Sequence, residues 1–345
     1  MSDASQKTLS SRSRLDYFVY RFKALDLPSV WRRAREVGKQ HRKFAPAVFV
    51  DMLWYAGLKD TGFQDYVDWD FAILTRAERA TFMTNAISNH IALRYDAREH
   101  RKLFEDKIVF NKTFPQYLHR EWFEVEPNDA DALRDFVTKH GVVIGKVPVS
   151  NSGKGIARYE AADVADWAAF RAELIAKGQI LLEEYIRQHP ALAAVSPDVV
   201  NTTRVTTFLD DDGTVQLLSF AQKFGVGKQA SDQQSFGGFF TLMDATGKSL
   251  GPGYGSHQKI FAKHPVTGAS IVDFQLPMVD EVLKLVDEVS RVVPDIRYIG
   301  WDVVVTPDGP IIVEGNWMPG AYENKPSATG VRTGSLPHIR RVVGF

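Results

Sequence analysis

Asp302, Glu314 and Asn316 are the residues best spaced to do chemistry in this chain. They lie in Gly300–Asn316, where two β-branched runs, Val303–Val305 and Ile311–Val313, flank Pro307-Asp308-Gly309. Such runs favour strands, and Pro followed by Asp-Gly favours a tight hairpin turn. A three-residue loop closed by Gly309 pairs Thr306 with Pro310, Asp302 with Glu314 and Gly300 with Asn316. Side chains alternate along a strand, so the two carboxylates and the amide share one face. Directly opposed like charges repel, and a cation is the simplest way to stabilise them. Hard oxygen ligands suit Mg²⁺ (or Mn²⁺) carried by a nucleotide phosphate. On the hairpin alone, a solvated pair of surface acids accounts for the pattern equally well.

A second group of residues suits phosphate. Ser150, Asn151, Ser152, Gly153 and Gly155 form a small, flexible stretch after the apolar run Val142–Val147. Its backbone N–H groups and hydroxyls can approach phosphate oxygens, although the Gly-x-x-x-x-Gly-Lys-Ser/Thr spacing is absent. Lys146 sits inside that apolar run, where an ammonium needs an anion or acceptor. Lys107 offers a second cation. Glu183, Glu184, Tyr185 and Ile186 end another strand-like run, an edge able to meet an adenine. Each of these pieces, taken singly, is also an ordinary turn, strand end or surface lysine.

The elements that must position these residues change in texture along the chain. Residues 1–12 are Ser-rich and read as disordered. Residues 15–105 read as helical, with a basic run in Val30–Lys43 and a capping box at Thr75 and Glu78. The basic run reads as a solvated helix face, the alternative being a docking surface for an anionic partner or membrane headgroups. Beyond residue 105, strands alternate with helices. Helices are expected near Asp163–Lys177 and Pro277–Val293. Strands are expected at Val142–Val147, Ile180–Ile186, Val205–Leu209, Val215–Phe220 and Phe239–Met243, the last within a long loop over 225–257. The expected fold class is α+β.

The 345 residues suffice for two or three domains, and 44% hydrophobic content is ordinary for a globular chain. Net charge is zero, so no global field points to nucleic acid. No cysteine is present, which removes thiolate nucleophiles and Cys-based metal sites. No apolar run approaches the roughly 18 residues of a spanning helix, and no signal peptide is evident, so a cytoplasmic protein is expected.

Together the motifs resemble the ATP-grasp superfamily. The order Asp106-Lys107, Lys146, a Gly/Ser loop, Glu183–Ile186, Asp302 and Glu314-Gly-Asn316-Trp-Met-Pro319-Gly320 is similar to that of its members across about 105–330. The helical N-terminal region, His189-Pro190, Asn201–Arg204 and Tyr298–Asp302 resemble the sugar-transfer-associated group. The resemblance implies an ATP-grasp fold with a helical region 1–105, a small lobe 106–187 and a large lobe 188–345. It implies that Lys107 and Lys146 hold the α- and β-phosphates, that 150–155 closes over them and that Glu183–Ile186 meets adenine. Lys223 would reach the γ-phosphate. Asp302, Glu314 and Asn316 would bind Mg²⁺, and Arg204 would face phosphoryl charge or a substrate carboxylate. Two departures stand out. The acid that usually meets ribose is replaced by Gln188-His189-Pro190, leaving Asn201 or Gln188 to substitute. The Arg expected two residues before Asp302 is Gly300, leaving Arg297 as the nearest arginine. The implied activity is a carboxylate–amine ligase working through an acyl phosphate, with small-molecule acid and amine substrates of the amino-acid or sugar-linked kind. The alternatives are a small-molecule kinase and a non-catalytic nucleotide-binding subunit of a polysaccharide assembly.

Overall fold

The computed structural model describes residues 26–126, 128–150, 155–227, 232 and 234–345. The expectations for 1–12 and 15–25, and for Asn151, Ser152 and Gly153, lie outside the described residues. Helices of eight or more residues are α1 (Leu27–His41), α2 (Ala45–Leu58), α3 (Asn85–Tyr95), α4 (Ala130–His140), α5 (Trp167–Ala176), α6 (Val279–Val289) and α7 (Leu336–Val343). The expected capping box forms: Thr75 Oγ1 accepts from Glu78 N, and Glu78 Oε2 accepts from Thr75 N at 2.6 Å.

Two antiparallel sheets follow the helical region. The smaller contains β1 (Trp122–Glu124), β2 (Val142–Lys146), β3 (Ala157–Glu160) and β4 (Leu181–Glu184), in the order β1-β4-β2-β3. Its core joins Val143 and Leu182 to Leu133 and Val137 of α4 and to Phe170 and Leu174 of α5. The larger has β5 (Thr203–Leu209), β6 (Val215–Phe224), β7 (Phe239–Leu242), β8 (Gly253–Gly255), β9 (Ile260–Phe261), β10 (Tyr298–Thr306) and β11 (Gly309–Asn316). Its order is β11-β10-β5-β6-β7-β8-β9. The stretch expected as a long loop therefore contributes β8 as well as β7. Their pairing is short and Gly-flanked, so it left little periodic signal.

Alternation divides the large sheet's residues between two faces. One face carries Val205, Phe220, Phe224, Trp301, Val303 and Val305. It is covered by the apolar stripe of α6 and by Phe110, Phe114 and Leu118. The segment 107–118 thus packs on the large sheet, although the sequence division assigned it to the small lobe. The other face is apolar only at its ends. Phe208, Leu218 and Tyr298 lie under α3 and α7. Ala221, Phe240 and Tyr254 lie under α1 and α2. Between these two patches the face carries charge.

Buried polar contacts fasten the helical region to the chain that leaves β11. Lys325 Nζ donates to Asp70 Oδ1 at 2.9 Å and to the carbonyls of Val67 and Asp68, while Ser327 N donates to Asp70 Oδ2. Glu323 accepts from Met83 N and from both Ser335 N and its hydroxyl. Removing one partner of a buried pair leaves an uncompensated charge and costs about 3–5 kcal/mol. Lys325→Met should therefore lower unfolding free energy by about that amount in a urea titration. A loss within about 0.5 kcal/mol would show that this pair does not hold the two regions together.

Candidate active site

Register places four residues in one row across the charged face. Glu314 on β11 pairs with Asp302 on β10, Asp302 with Arg204 on β5, and Arg204 with Ala221 on β6. Lys223 stands two residues along β6, on the same face. Arg204 grips Asp302 with two parallel bonds, Nε to Oδ1 at 2.7 Å and Nη2 to Oδ2 at 3.0 Å. Lys223 Nζ adds a third at 2.9 Å to Oδ1. Burial would raise the Asp302 carboxyl, but the Arg204 and Lys223 charges outweigh it and hold it well below its usual range.

Glu314 has the opposite balance. Burial and the facing Asp302 charge raise its carboxyl, against weaker opposition from Lys107. Its only hydrogen-bond-length contact among the described residues is with Asn316 Nδ2, at 3.5 Å. Two opposed carboxylates, one of them with free oxygens, plus the Asn316 amide fit a hard dication. The set holds only two acids; among the described residues no group of three or more His, Cys, Asp or Glu gathers to hold a metal.

The expected Asp302–Glu314 register holds by a different route. The hairpin loop is Pro307-Asp308, with Thr306 opposite Gly309 and Val305 opposite Pro310. A β-bulge then intervenes, since Val303 faces Ile312 while Asp302 faces Glu314. The loop is one residue shorter than expected and the bulge inserts one residue, so the two differences cancel at the carboxylates.

Opposite this row, across a cleft of about 740 Å³, stand Lys107 and Lys146 from the other side of the site. That volume lies within the usual range for ligand sites, roughly 300–1,000 Å³. Lys146 Nζ lies 2.5 Å from Glu183 Oε2. Lys107 Nζ donates to Ser150 O at 2.8 Å and reaches Ser150 Oγ at 3.2 Å, tying it to the start of the Gly/Ser stretch. Burial lowers the Lys107 ammonium pKa; Glu314 opposes this and Lys146 adds to it. Glu184, Tyr185 and Ile186 also line the cleft.

Glu183 does more than end a strand. Its carboxylate receives Arg120 Nε at 2.9 Å, Arg120 Nη2 at 3.1 Å, Asn111 Nδ2 at 3.0 Å and Lys146. Arg120 also donates to the carbonyls of Ile312 and Val313 on β11. Sequence reading missed Asn111 and Arg120, which show no motif spacing. The signal that could have found Arg120 is Glu183 itself, an acid in an apolar run that needs more than one cation.

Three assigned residues do not face the cleft as expected. Arg297 sits at the far end of β10, where Nη1 pairs with Asp211 at 2.7 Å and Nε donates to Leu209 O. Its guanidinium lies over the Phe208 ring. Arg204 fills the space that the expected arginine would use: a Cβ on Gly300 would fall 2.9 Å from Arg204 Nη1 and 2.6 Å from Pro319 Cβ. Asn201 is fully buried. It bonds Gln188 Oε1, Ser196 O and Gly225 N, so its polar atoms serve the connector 188–201. Lys223 is held behind Asp302 rather than extended into the cleft. Asp198, Thr202, Asp232 and Tyr322 do line it. Asp232 Oδ2 accepts from Thr202 N at 2.7 Å and fixes that wall.

The sequence matches the sugar-transfer associated ATP-grasp family over residues 87–333. The chain belongs to that family. Its α+β architecture is the ATP-grasp fold. The match leaves out α1 and α2. No curated protein matches the chain. Among solved structures, the ATP-grasp ligase PsnB, complexed with a phosphomimetic variant of a minimal precursor, Mg and ADP, is 14% identical with a TM-score of 0.43. The alignment covers 75% of this chain and 65% of that one. The D-alanine–D-alanine ligase of Bacillus anthracis is 14% identical, with a TM-score of 0.40 over 73% and 74% of the two chains. The ADP complex of an N5-carboxyaminoimidazole ribonucleotide synthetase is 10% identical, with a TM-score of 0.41 over 71% and 52%.

The Glu183 cluster gives a pH-dependent test. Burial opposes its ionisation, but Arg120 and Lys146 outweigh burial and keep its carboxyl well below the ordinary 4.5. A depressed folded value makes the contribution complete above the unfolded pKa and lost as pH falls below it. Glu183→Gln should cost about 3–5 kcal/mol at pH 7, and the difference from the wild type should shrink towards pH 3. A difference that is independent of pH from 7 to 3 would contradict the assignment.

Proposed function

We propose that this protein is an ATP-dependent carboxylate–amine ligase forming an amide through an acyl phosphate. The observation that carries this reading is the register row Glu314–Asp302–Arg204 facing Lys107 and Lys146 across one cleft. Cations on one wall suit the polyphosphate. Paired acids on the other suit a metal ion, and the arginine beside them suits the reacting carboxylate. Such a site works by positioning and charge stabilisation and needs no protein nucleophile, in keeping with a chain free of cysteine.

Lys107 and Lys146 would hold the α- and β-phosphates of ATP, with the 150–155 stretch closing over them. Glu184, Tyr185 and Ile186 would meet the adenine, and Asp198, which lines the same cleft, would accept from a ribose hydroxyl. Asp302, Glu314 and Asn316 would hold Mg²⁺, which supplies Lewis-acid neutralisation of phosphoryl oxygens. The carboxylate substrate would lie against Arg204, whose Nη1 is fixed by Pro319 O at 2.8 Å. Its oxygen attacks the γ-phosphorus and ADP leaves. The amine then attacks the acyl carbon, and phosphate departs with that oxygen. Amino-acid or sugar-linked substrates agree with the family's association with sugar transfer. An ATP-consuming enzyme of this kind works in the cytoplasm.

Glu314→Gln should reduce turnover by at least about a hundredfold with the fold intact and no loss of thermal stability, because a charged ligand is lost beside the transferred group. Near-normal turnover would remove the hairpin from the mechanism. The reaction class is read with an ¹⁸O-labelled carboxylate substrate. A ligase sends one label into the released phosphate and releases it only when acid and amine are both present. Label retained in the product alongside a stable phosphate ester would make the protein a kinase. AMP and pyrophosphate would reject both readings.

A further inference from the structure

Helix α2 is apolar on both faces. Val48, Met52 and Tyr55 pack inward, yet Phe44, Ala47, Val50, Trp54 and Leu58 recur at helical spacing on the outer side. Phe44 is 75% exposed, Val50 65%, Trp54 58% and Leu58 56%. The one charged residue of the helix, Asp51, is paired with Arg79 at 2.7 Å and accepts from the Tyr66 hydroxyl, so the exposed stripe itself carries no charge. Single exposed hydrophobics are unremarkable, but a continuous stripe with two aromatics marks an interaction surface.

The flank of the stripe is basic. Arg32, Arg35, Lys39, Arg42 and Lys43 are exposed on α1 and at the α1–α2 corner, against a lone acid, Glu36, in that run. Trp31 of α1, itself 39% exposed, stands edge-on to the half-buried Phe49 of α2 at 5.5 Å, so the two helices pack side by side. The charge is local, since the whole chain is neutral.

We propose that the outer face of α1 and α2 seats this protein on an anionic lipid surface. An aromatic and aliphatic ridge enters the acyl boundary, while Arg and Lys meet the headgroups. Their aliphatic stems lie along the ridge and their charged ends stay in the polar layer. Each basic side chain held near an anionic leaflet adds to the attraction, and the attraction is screened by salt. The other occupants fit less well. A second copy would set one basic cluster against another. Residues 1–25 carry five basic and two acidic residues, so they add to the basic charge of this end of the chain and do not neutralise it. A convex ridge, unlike a groove, suits a deformable surface. This surface lies outside the family match and is independent of the cleft chemistry.

The test is flotation of the full chain with vesicles of phosphatidylcholine alone and of phosphatidylcholine with 30% phosphatidylglycerol, in low salt. Binding to the anionic vesicles should exceed binding to the neutral ones by at least about tenfold and fall steeply towards 0.5 M salt. The pair Val50→Ser/Trp54→Ser should reduce it at least about tenfold. So should the triple Arg32→Glu/Arg35→Glu/Lys39→Glu, with circular dichroism and melting temperature unchanged in both. No preference for anionic vesicles would overturn the proposal. Unaltered binding by both variants would do the same, as would a concentration-dependent dimer in sedimentation equilibrium that the Val50→Ser/Trp54→Ser pair abolishes.

Discussion

The structure depends on how the charge of Asp302 is held. A carboxylate this deeply buried is stable only with partners of opposite sign and good geometry. Arg204 and Lys223 provide them from two different strands. Antiparallel register alone brings these groups together, since Asp302 and Arg204 are direct cross-strand neighbours. A one-residue slip of β5 against β10 would send Arg204 to the apolar face and set it against Trp301 and Val303. The ion cluster and the hydrophobic core therefore enforce the same register from opposite sides of one sheet. The apolar side contributes burial energy and the polar side contributes specificity.

The same logic explains why the sequence was legible at the site and less so around it. Asp302, Glu314 and Asn316 lie within 15 residues of one another, and strand alternation is enough to place them on one face. The register expected for them holds even though the turn differs, because the bulge before Glu314 compensates for the shorter loop. Lys146 was legible because an ammonium in an apolar strand demands a partner. That partner, Glu183, had been read for its place at a strand end, although its side chain is committed to Arg120, Asn111 and Lys146. Asn201 and Arg297 were assigned by proximity in sequence to motif residues. Their actual partners, the 188–201 connector and the Asp211 turn, depend on contacts that no local pattern encodes.

The docking of the helical region was invisible for the same reason. Lys325 meets Asp70 across more than 250 residues of chain. Ser88 donates to Gly320 O, and Asn85 accepts from Ala321 N. These contacts hold the Pro319–Tyr322 segment, which lines the cleft, against α3, the helix in which the family match begins. The helices are thus part of the site's scaffold as well as a covering for one end of the sheet.

Gly300 shows how a missing residue can be supplied by a neighbour. An arginine at 300 would extend from β10 on the Asp302 face. That space is taken by the guanidinium of Arg204, which reaches across from β5 and is pinned by Pro319 O. Glycine at 300 is therefore a steric consequence of Arg204, and the two positions can be exchanged only together. The exchange also changes the charge balance. An arginine on β10 would sit beside Asp302 along the same strand, free to leave it, whereas Arg204 is locked to both carboxylate oxygens. In the proposed reaction Asp302 then offers a metal only the lone pairs that Arg204 and Lys223 leave free, and Glu314 becomes the principal anionic ligand. That order of roles follows from the hydrogen bonds that occupy both Asp302 oxygens and leave Glu314 with no cationic partner in contact among the described residues.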